Sequence, residues 1–510
     1  MSDSLSTSPA VLEVVEALFI SLLSQPIGPS TSLEITNKVI SSDVQVGAIL
    51  AGGTFPGPLI QGKKGDHFRI DVVNRLTDTT MPTSTSIHYH GLFHHRTSHS
   101  DGAAFVTQCP ISPGHSFLYE FDVLGFLSAL MSCPGTFWYH SHLSDQQCDG
   151  LRGPFVIYDP ADPAAHLYET TIITLADWYN ASSLLALKFK STLINGLGRY
   201  AGGPLSKLAV VRVVHGQRYR FRLISMSCDA TFEFSIDHHP ISILEVDGIN
   251  HQALAVDSIE IFPGQRYSFV LHAGEEIDNY WIRSPPPVKP ASQPDVFANA
   301  TNSAILRYVG APDVDPTTQS SGSRALVETD LHPLLPSPVP GAHIPGGADI
   351  NLHFDITRNM TTLKWFTNGV NYAPPSVPVL LQILSGAQKA EELLPKGSVY
   401  PLPPNKHPFH LHGHTFHVVR SAGNATYNFD NPVVRDVVSM GGSTDDLTTF
   451  RFTTDNPGPW FLHCHVDWHL EDGMALIFVE DVDAVAHQKP PQISAAWDQL
   501  CPIYDGGVRV

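Results

Sequence analysis

The stretch NPGPWFLHCHVDWHLEDGM, residues 456–474, decides how this chain folds and what it can bind. Within it His463-Cys464-His465 is followed by His469 and Met474. A thiolate, an imidazole and a thioether at Cys464, His469 and Met474 form the ligand set of a blue-copper electron-transfer site. On an extended segment side chains alternate faces, so His463 and His465 point one way and Cys464 the other. Cys464 can therefore hold copper on one side while its neighbours hold metal on the far side. Such an arrangement suits a protein that takes up electrons at one copper and delivers them to others.

Three more H-x-H pairs carry the same logic: His88-Tyr89-His90, His140-Ser141-His142 and His410-Leu411-His412, the last preceded by His407. Each puts both imidazoles on one face of a strand. A single H-x-H is most often a surface or core pair. Four of them, one bracketing a cysteine, are not so easily dismissed. Together they offer ten histidines and one cysteine. Four coppers can be held: one by His407, Cys464 and His469, three by the other eight histidines. Imidazole suits copper, and the thiolate is softer still, which favours copper over magnesium or calcium.

The rest of the chain reads as all-β. Its 510 residues exceed one ordinary core and suggest two to four domains. Its 41 prolines and 38 glycines punctuate short β-branched and aromatic runs, the pattern of many short strands with tight turns. Clear examples are 68–73, 219–224 and 267–271. No long amphipathic helix is evident.

These segments resemble the multicopper oxidases, most closely the fungal laccases. The likeness is carried by HYHGLFHHRTSHSDGAAFVTQCPI from His88, GTFWYHSHLSDQQCDGLRGP from Gly135, HPFHLHGHTF from His407, and the stretch from Asn456. It runs from about Ile27 to the C-terminus. It implies three consecutive cupredoxin-like Greek-key β-sandwich domains. We place them at 27–162, 163–330 and 331–510, the second boundary falling in the Pro-, Gly- and Ser-rich stretch 311–346. Residues 1–26 are then a degenerate or misassigned leader: they lack a basic start, and Glu13 and Glu16 interrupt the apolar run.

The resemblance implies roles for individual residues. His407, Cys464 and His469 would bind type 1 copper, His88 and His410 type 2. His90, His140, His142, His412, His463 and His465 would bind the type 3 pair. Cys109 would pair with Cys501, and Cys148 with Cys228, leaving Cys133 over; bridges of this kind belong to an oxidising compartment. With sequons at Asn180, Asn299, Asn359 and Asn424 they point to a secreted glycoprotein. The implied activity is that of a benzenediol:oxygen oxidoreductase. Phenols or aromatic amines would lose single electrons beside His469, and O2 would take four and become water. Lignin breakdown, pigment formation and detoxification all use this chemistry. Asp229 matches a pocket carboxylate that accepts a hydrogen bond or proton from the substrate, and Asp101 an acid that assists proton supply to reduced oxygen. Both are also ordinary turn residues. Met474 stands where many fungal laccases have Phe or Leu. As an axial thioether it would stabilise Cu(II) and lower the potential; as a packing residue it would do neither.

Composition excludes other classes. Thirty basic against 49 acidic residues give a net charge of −19, which disfavours nucleic acid. No apolar run is long enough for a transmembrane helix. The resemblance implies a monomer. Two departures from the family stand out: a long apolar connection at 123–134, and the direct run of Leu402-Pro403-Pro404-Asn405-Lys406 into His407. A strand missing there would expose a sheet edge beside a type 1 ligand. They keep alive a catalytically impaired copper-binding secreted protein, beside a metal-ion oxidase of the same family.

Overall fold

The computed structural model describes residues 25–41, 45–123, 134–162, 169–179, 191–286, 297–320, 322–386, 406–443, 446–487 and 493–506. Alternation drives its strands. In His67–Asn74 the side chains of Phe68, Ile70, Val72 and Asn74 are buried, while those between them face outward or sit half-buried. Each large apolar side chain buried this way contributes about 1.5–3 kcal/mol. The runs at 68–73, 219–224 and 267–271 lie in strands His67–Asn74, Arg218–Ser225 and Arg266–His272.

No sheet among the described residues mixes strands from the first, middle and last thirds of the chain. In the first third, Gln45–Ala51, Ser30–Ser41, His67–Asn74 and Ser116–Asp122 lie side by side in that order. Ile60–Lys63, Arg152–Tyr158, Gly135–Ser141 and Ile87–His90 form the facing sheet. Leu33, Ile70, Val72, Tyr119, Tyr139 and Phe155 fill the core of this unit. Each of these sheets contains one parallel pair among antiparallel ones, which requires a crossover, as in a Greek-key sandwich. The middle third builds a six-stranded and a five-stranded sheet. The last third builds a four-stranded sheet, Val437–Ser439, Pro408–Leu411, Gly458–Cys464 and Ala475–Glu480, and a three-stranded one. The molecule is thus all-β with three cupredoxin-like units.

Two expectations need correction. The strand carrying His410 is no sheet edge: Pro408–Leu411 pairs with Val437–Ser439 on one side and Gly458–Cys464 on the other. A 12-residue helix, Ala495–Gly506, is also the last described element. Trp497, Leu500, Cys501 and Tyr504 follow helical spacing and pack on the core of the first sandwich, a stripe that Pro502 disguises. Cys501 is bonded to Cys109, as expected, tying together residues 392 apart in sequence. The connection at 124–133 with Cys133, residues 387–405, the sequon at Asn180 and residues 1–24 lie outside the described residues. Among the described residues no helix is long and apolar enough to cross a membrane.

Candidate metal centres

Two strand pairs aim eight imidazoles at one place. Ile87–His90 pairs with Gly135–Ser141, setting His88 opposite His140. Pro408–Leu411 pairs with Gly458–Cys464, setting His410 opposite His463. In three of the H-x-H pairs the second histidine lies just past its strand, and the alternation carries on. The two pairs, from opposite ends of the chain, meet face to face. The rings of His88 and His412 stack with centroids 3.9 Å apart, those of His90 and His410 at 3.8 Å. His465 Nε2 comes within 3.1 Å of His90 Nδ1. From the middle third Gly264 closes against them. A Cβ there would lie 2.8 Å from the His465 ring, and its φ of +85° favours glycine.

The donor atoms fit metal. Nδ1–H of His88 donates to the Asp101 carbonyl (2.8 Å), that of His140 to Ser141 (2.8 Å) and that of His410 to Asp436 (2.9 Å). Such bonds fix the tautomer and leave the Nε2 lone pair for a cation. Nε2 of His88, His140, His142 and His410 is buried with no hydrogen-bond partner, a costly state that a bound metal resolves. Donor atoms of His88, His90 and His140, of His88, His410 and His412, and of His142, His412 and His463 lie within 4.8 Å of one another. Burial holds the imidazoles of His90, His140, His142, His410, His412 and His465 well below their usual pKa, in the neutral form that metals bind.

Asp101 lies against this cluster, fully buried. Its Oδ2 accepts from His412 Nδ1 at 2.9 Å, and its Oδ1 lies 3.3 Å from His88 Nδ1. Burial pushes its pKa up, but the charge and hydrogen bond of His88 outweigh that and hold it below the usual carboxylate range.

On the other face of residue 464 stands a second, smaller set. His407 Nδ1 and His469 Nδ1 are 3.2 Å apart, and Cys464 Sγ is 3.9 and 3.6 Å from them. A triangle of these sides has a circumradius of about 2.1 Å, the length of a metal–imidazole bond. One ion in this plane reaches all three donors. Burial pushes the Cys464 thiol well up, so only a metal makes it a thiolate. Met474 is fully buried in the same apolar cluster as Cys464. Its N–H donates to the His469 carbonyl at 2.9 Å, and its carbonyl accepts from Cys464 N–H at 3.1 Å.

Asp229 is exposed and sits on a loop tied to this site. The carbonyl of Cys228 accepts from Asp467 N–H at 2.9 Å, at the start of the short helix Asp467–Glu471 that carries His469. Buried Asp177 shapes the loop: it accepts from the N–H groups of Cys228, Asp229 and Ala230 at 3.0, 2.8 and 3.1 Å. Crowding by protein, then the Asp177 charge, pushes the Asp229 carboxyl up to about 6; the water it also meets tempers that push. The second expected bridge is not formed. Cys148 and Cys228 are buried free thiols. They lie together in one buried cluster with Tyr179, and each also meets a carboxylate, Cys148 Sγ at Asp467 Oδ2 (3.1 Å) and Cys228 Sγ at Asp177 Oδ1 (3.4 Å). The sequon residues Asn299 and Asn359 are exposed, and Asn424 is half-buried.

The sequence reading missed several residues here. Asp436 accepts from His410 through its carbonyl and binds Arg266 through both carboxylate oxygens at 2.6 and 2.8 Å, all buried. An Arg-Asp pair inside the apolar run Pro432-Val433-Val434-Arg435-Asp436-Val437-Val438 was the available signal. Trp365, fully buried, meets His407 and His469 edge-on.

Three multicopper oxidase family models match residues 34–162, 169–311 and 351–484. The chain is 53% identical over 504 residues to a laccase of Phlebia radiata, covering 94% of each. It is 53% identical over 507 residues to laccase-2 of Trametes villosa, covering 94% of this chain and 95% of the relative. A laccase structure from Botrytis aclada superposes with a TM-score of 0.80 at 29% identity, covering 94% of this chain and 92% of that one. Fet3p, a multicopper oxidase that functions in iron import, superposes at 0.78 and 25% identity, covering 93% and 95%. The chain belongs to the multicopper oxidase family, as an enzyme of the laccase type.

Proposed function

We propose that this enzyme takes single electrons from phenols and aromatic amines beside His469 and reduces O2 at the eight-histidine cluster. The observation that carries this is the placement of Cys464 between the two sets. Its thiol faces His407 and His469, while its peptide neighbours His463 and His465 reach the cluster. When bound, copper supplies the redox chemistry: one-electron oxidation at the single site, and four-electron reduction of O2 to two waters at the cluster. His407, Cys464 and His469 hold type 1 copper; His88 and His410 hold type 2; His90, His140, His142, His412, His463 and His465 hold the type 3 pair. The backbone through Cys464 is the covalent electron path. Asp101 orients His88 and His412 and holds a proton acceptor at the cluster. The domains are those at 27–162, 163–330 and 331–510. The chain works as a secreted monomeric glycoprotein that binds no nucleic acid. Turnover of 2,6-dimethoxyphenol against Fe(II) tests the substrate class. A clear preference for Fe(II) would replace this reading with a metal-ion oxidase.

Asp229 accepts the proton that a phenol sheds as it loses an electron. Asp229→Asn should lower kcat/KM for phenols about tenfold to a hundredfold, with ferrocyanide, which has no proton to lose, unaffected. A carboxylate serves only when ionised, so wild-type activity on phenols falls as pH drops through its pKa. The raised pKa places that limb above the ordinary aspartate range, and the variant should lack it. Equal losses on both donors would remove the role.

Met474 would supply a weak thioether donor to copper held by His407, Cys464 and His469. Redox titration of Met474→Leu should show a higher type 1 potential, because the lost donor stabilised Cu(II). An unchanged potential would leave Met474 as packing.

A further inference from the structure

Strands Ile356–Arg358 and Trp365–Thr367 form a hairpin that sets Arg358 directly opposite Trp365. The guanidinium carbon stands 5.2 Å from the Trp365 ring centroid, a cation–π stack. The same indole meets His407 and His469 with centroids 5.0 and 4.8 Å away. A permanent positive charge therefore lies one ring away from both imidazoles.

Arg358 is half-buried, its Nε donates to the Leu363 carbonyl at 3.3 Å, and among the described residues it makes no ion pair. Lys364, on the same hairpin, is paired with Asp472 at 3.0 Å. In a chain of net charge −19 this arginine places a positive charge beside the electron-accepting site. Apolar surface accompanies it: Met360 and Leu363, in the turn of the hairpin, are 71% and 50% exposed. A guanidinium with uncommitted N–H groups beside apolar surface fits an aromatic ring that carries an oxyanion, since arginine meets a carboxylate with two parallel bonds.

We propose that Arg358 is a specificity-determining residue that favours phenols bearing a carboxylate over their uncharged counterparts. This rests on the reading that phenols are oxidised beside His469. The test is steady-state kinetics of the copper-loaded enzyme on 4-hydroxy-3-methoxycinnamic acid and its methyl ester, at about pH 6, where the acid is ionised. Arg358→Gln should raise KM for the acid about tenfold and leave that for the ester within about twofold. Arg358→Lys, which keeps the charge without the fork, should recover part of the loss. In the wild type, added sodium sulfate should raise KM for the acid and not for the ester, so a Gln variant that fails to fold does not shield the proposal. Equal changes on both substrates, or none, would overturn it and leave the laccase reading standing. Failure of the wild type to oxidise either phenol would remove both.

Discussion

Cys464→Ser is expected to abolish phenol oxidation, by about a thousandfold or more, while three of four coppers stay bound. Cys464 supplies the thiolate of the His407, Cys464 and His469 set, and a serine hydroxyl is a hard, neutral donor that does not replace it. The backbone bonds of residue 464 do not involve its side chain: it remains opposite Phe409 and donates to the Met474 carbonyl. The strand therefore persists, and His463 and His465 stay on the cluster. Copper analysis should give three ions per chain, the intense blue thiolate absorption should vanish, and O2 uptake with 2,6-dimethoxyphenol should stop. Rapid phenol turnover by the variant would break the link between Cys464 and electron uptake. Loss of all copper would show that the two sets are not independent.

Asp101→Asn should slow turnover about tenfold to a hundredfold, the usual cost of losing a bond that orients a metal ligand. The carboxylate faces two imidazoles proposed to bind different coppers, at 2.9 Å to His412 Nδ1 and 3.3 Å to His88 Nδ1. Asparagine has nearly the same shape, but one of its two terminal groups donates, so it cannot accept from both. The Asp101 carbonyl still holds His88, so the copper count should not change. The defect then lies on the oxygen side. Under argon, phenol should bleach the blue colour as fast as in the wild type; on admitting O2 the colour should return about tenfold to a hundredfold more slowly. Reoxidation at the wild-type rate would leave Asp101 as a turn residue only.

The histidines were legible because a strand repeats every two residues, so each H-x-H declares one face without any knowledge of its partner. His463, Cys464 and His465 carry this furthest, since their alternation alone separates the two metal sets. Asp436, Arg266 and Trp365 were not legible. Their importance depends on which strands meet across the fold, and local spacing does not encode that. The same holds for the strand after His407, Pro408–Leu411: its pairing with Val437–Ser439 comes from residues nearly thirty positions later. The C-terminal helix was hidden by Pro502, although Trp497, Leu500, Cys501 and Tyr504 kept their period. Cys148 and Cys228, paired by resemblance, do come together in one buried cluster, although 80 residues apart in sequence, which local spacing could not show.

Low-temperature EPR of the copper-loaded chain, with copper counted on the same sample, tests most directly whether Cys464 separates two metal sets. The geometry predicts four coppers per chain and two superimposed signals. One has the narrow hyperfine splitting of a cysteine-bound type 1 centre, the other the ordinary splitting of a histidine-bound type 2 centre. The remaining pair should be silent. Copper that gives only the ordinary signal, with no narrow one, would mean that His407, Cys464 and His469 do not assemble a type 1 site, and would contradict the proposed path of electrons through Cys464.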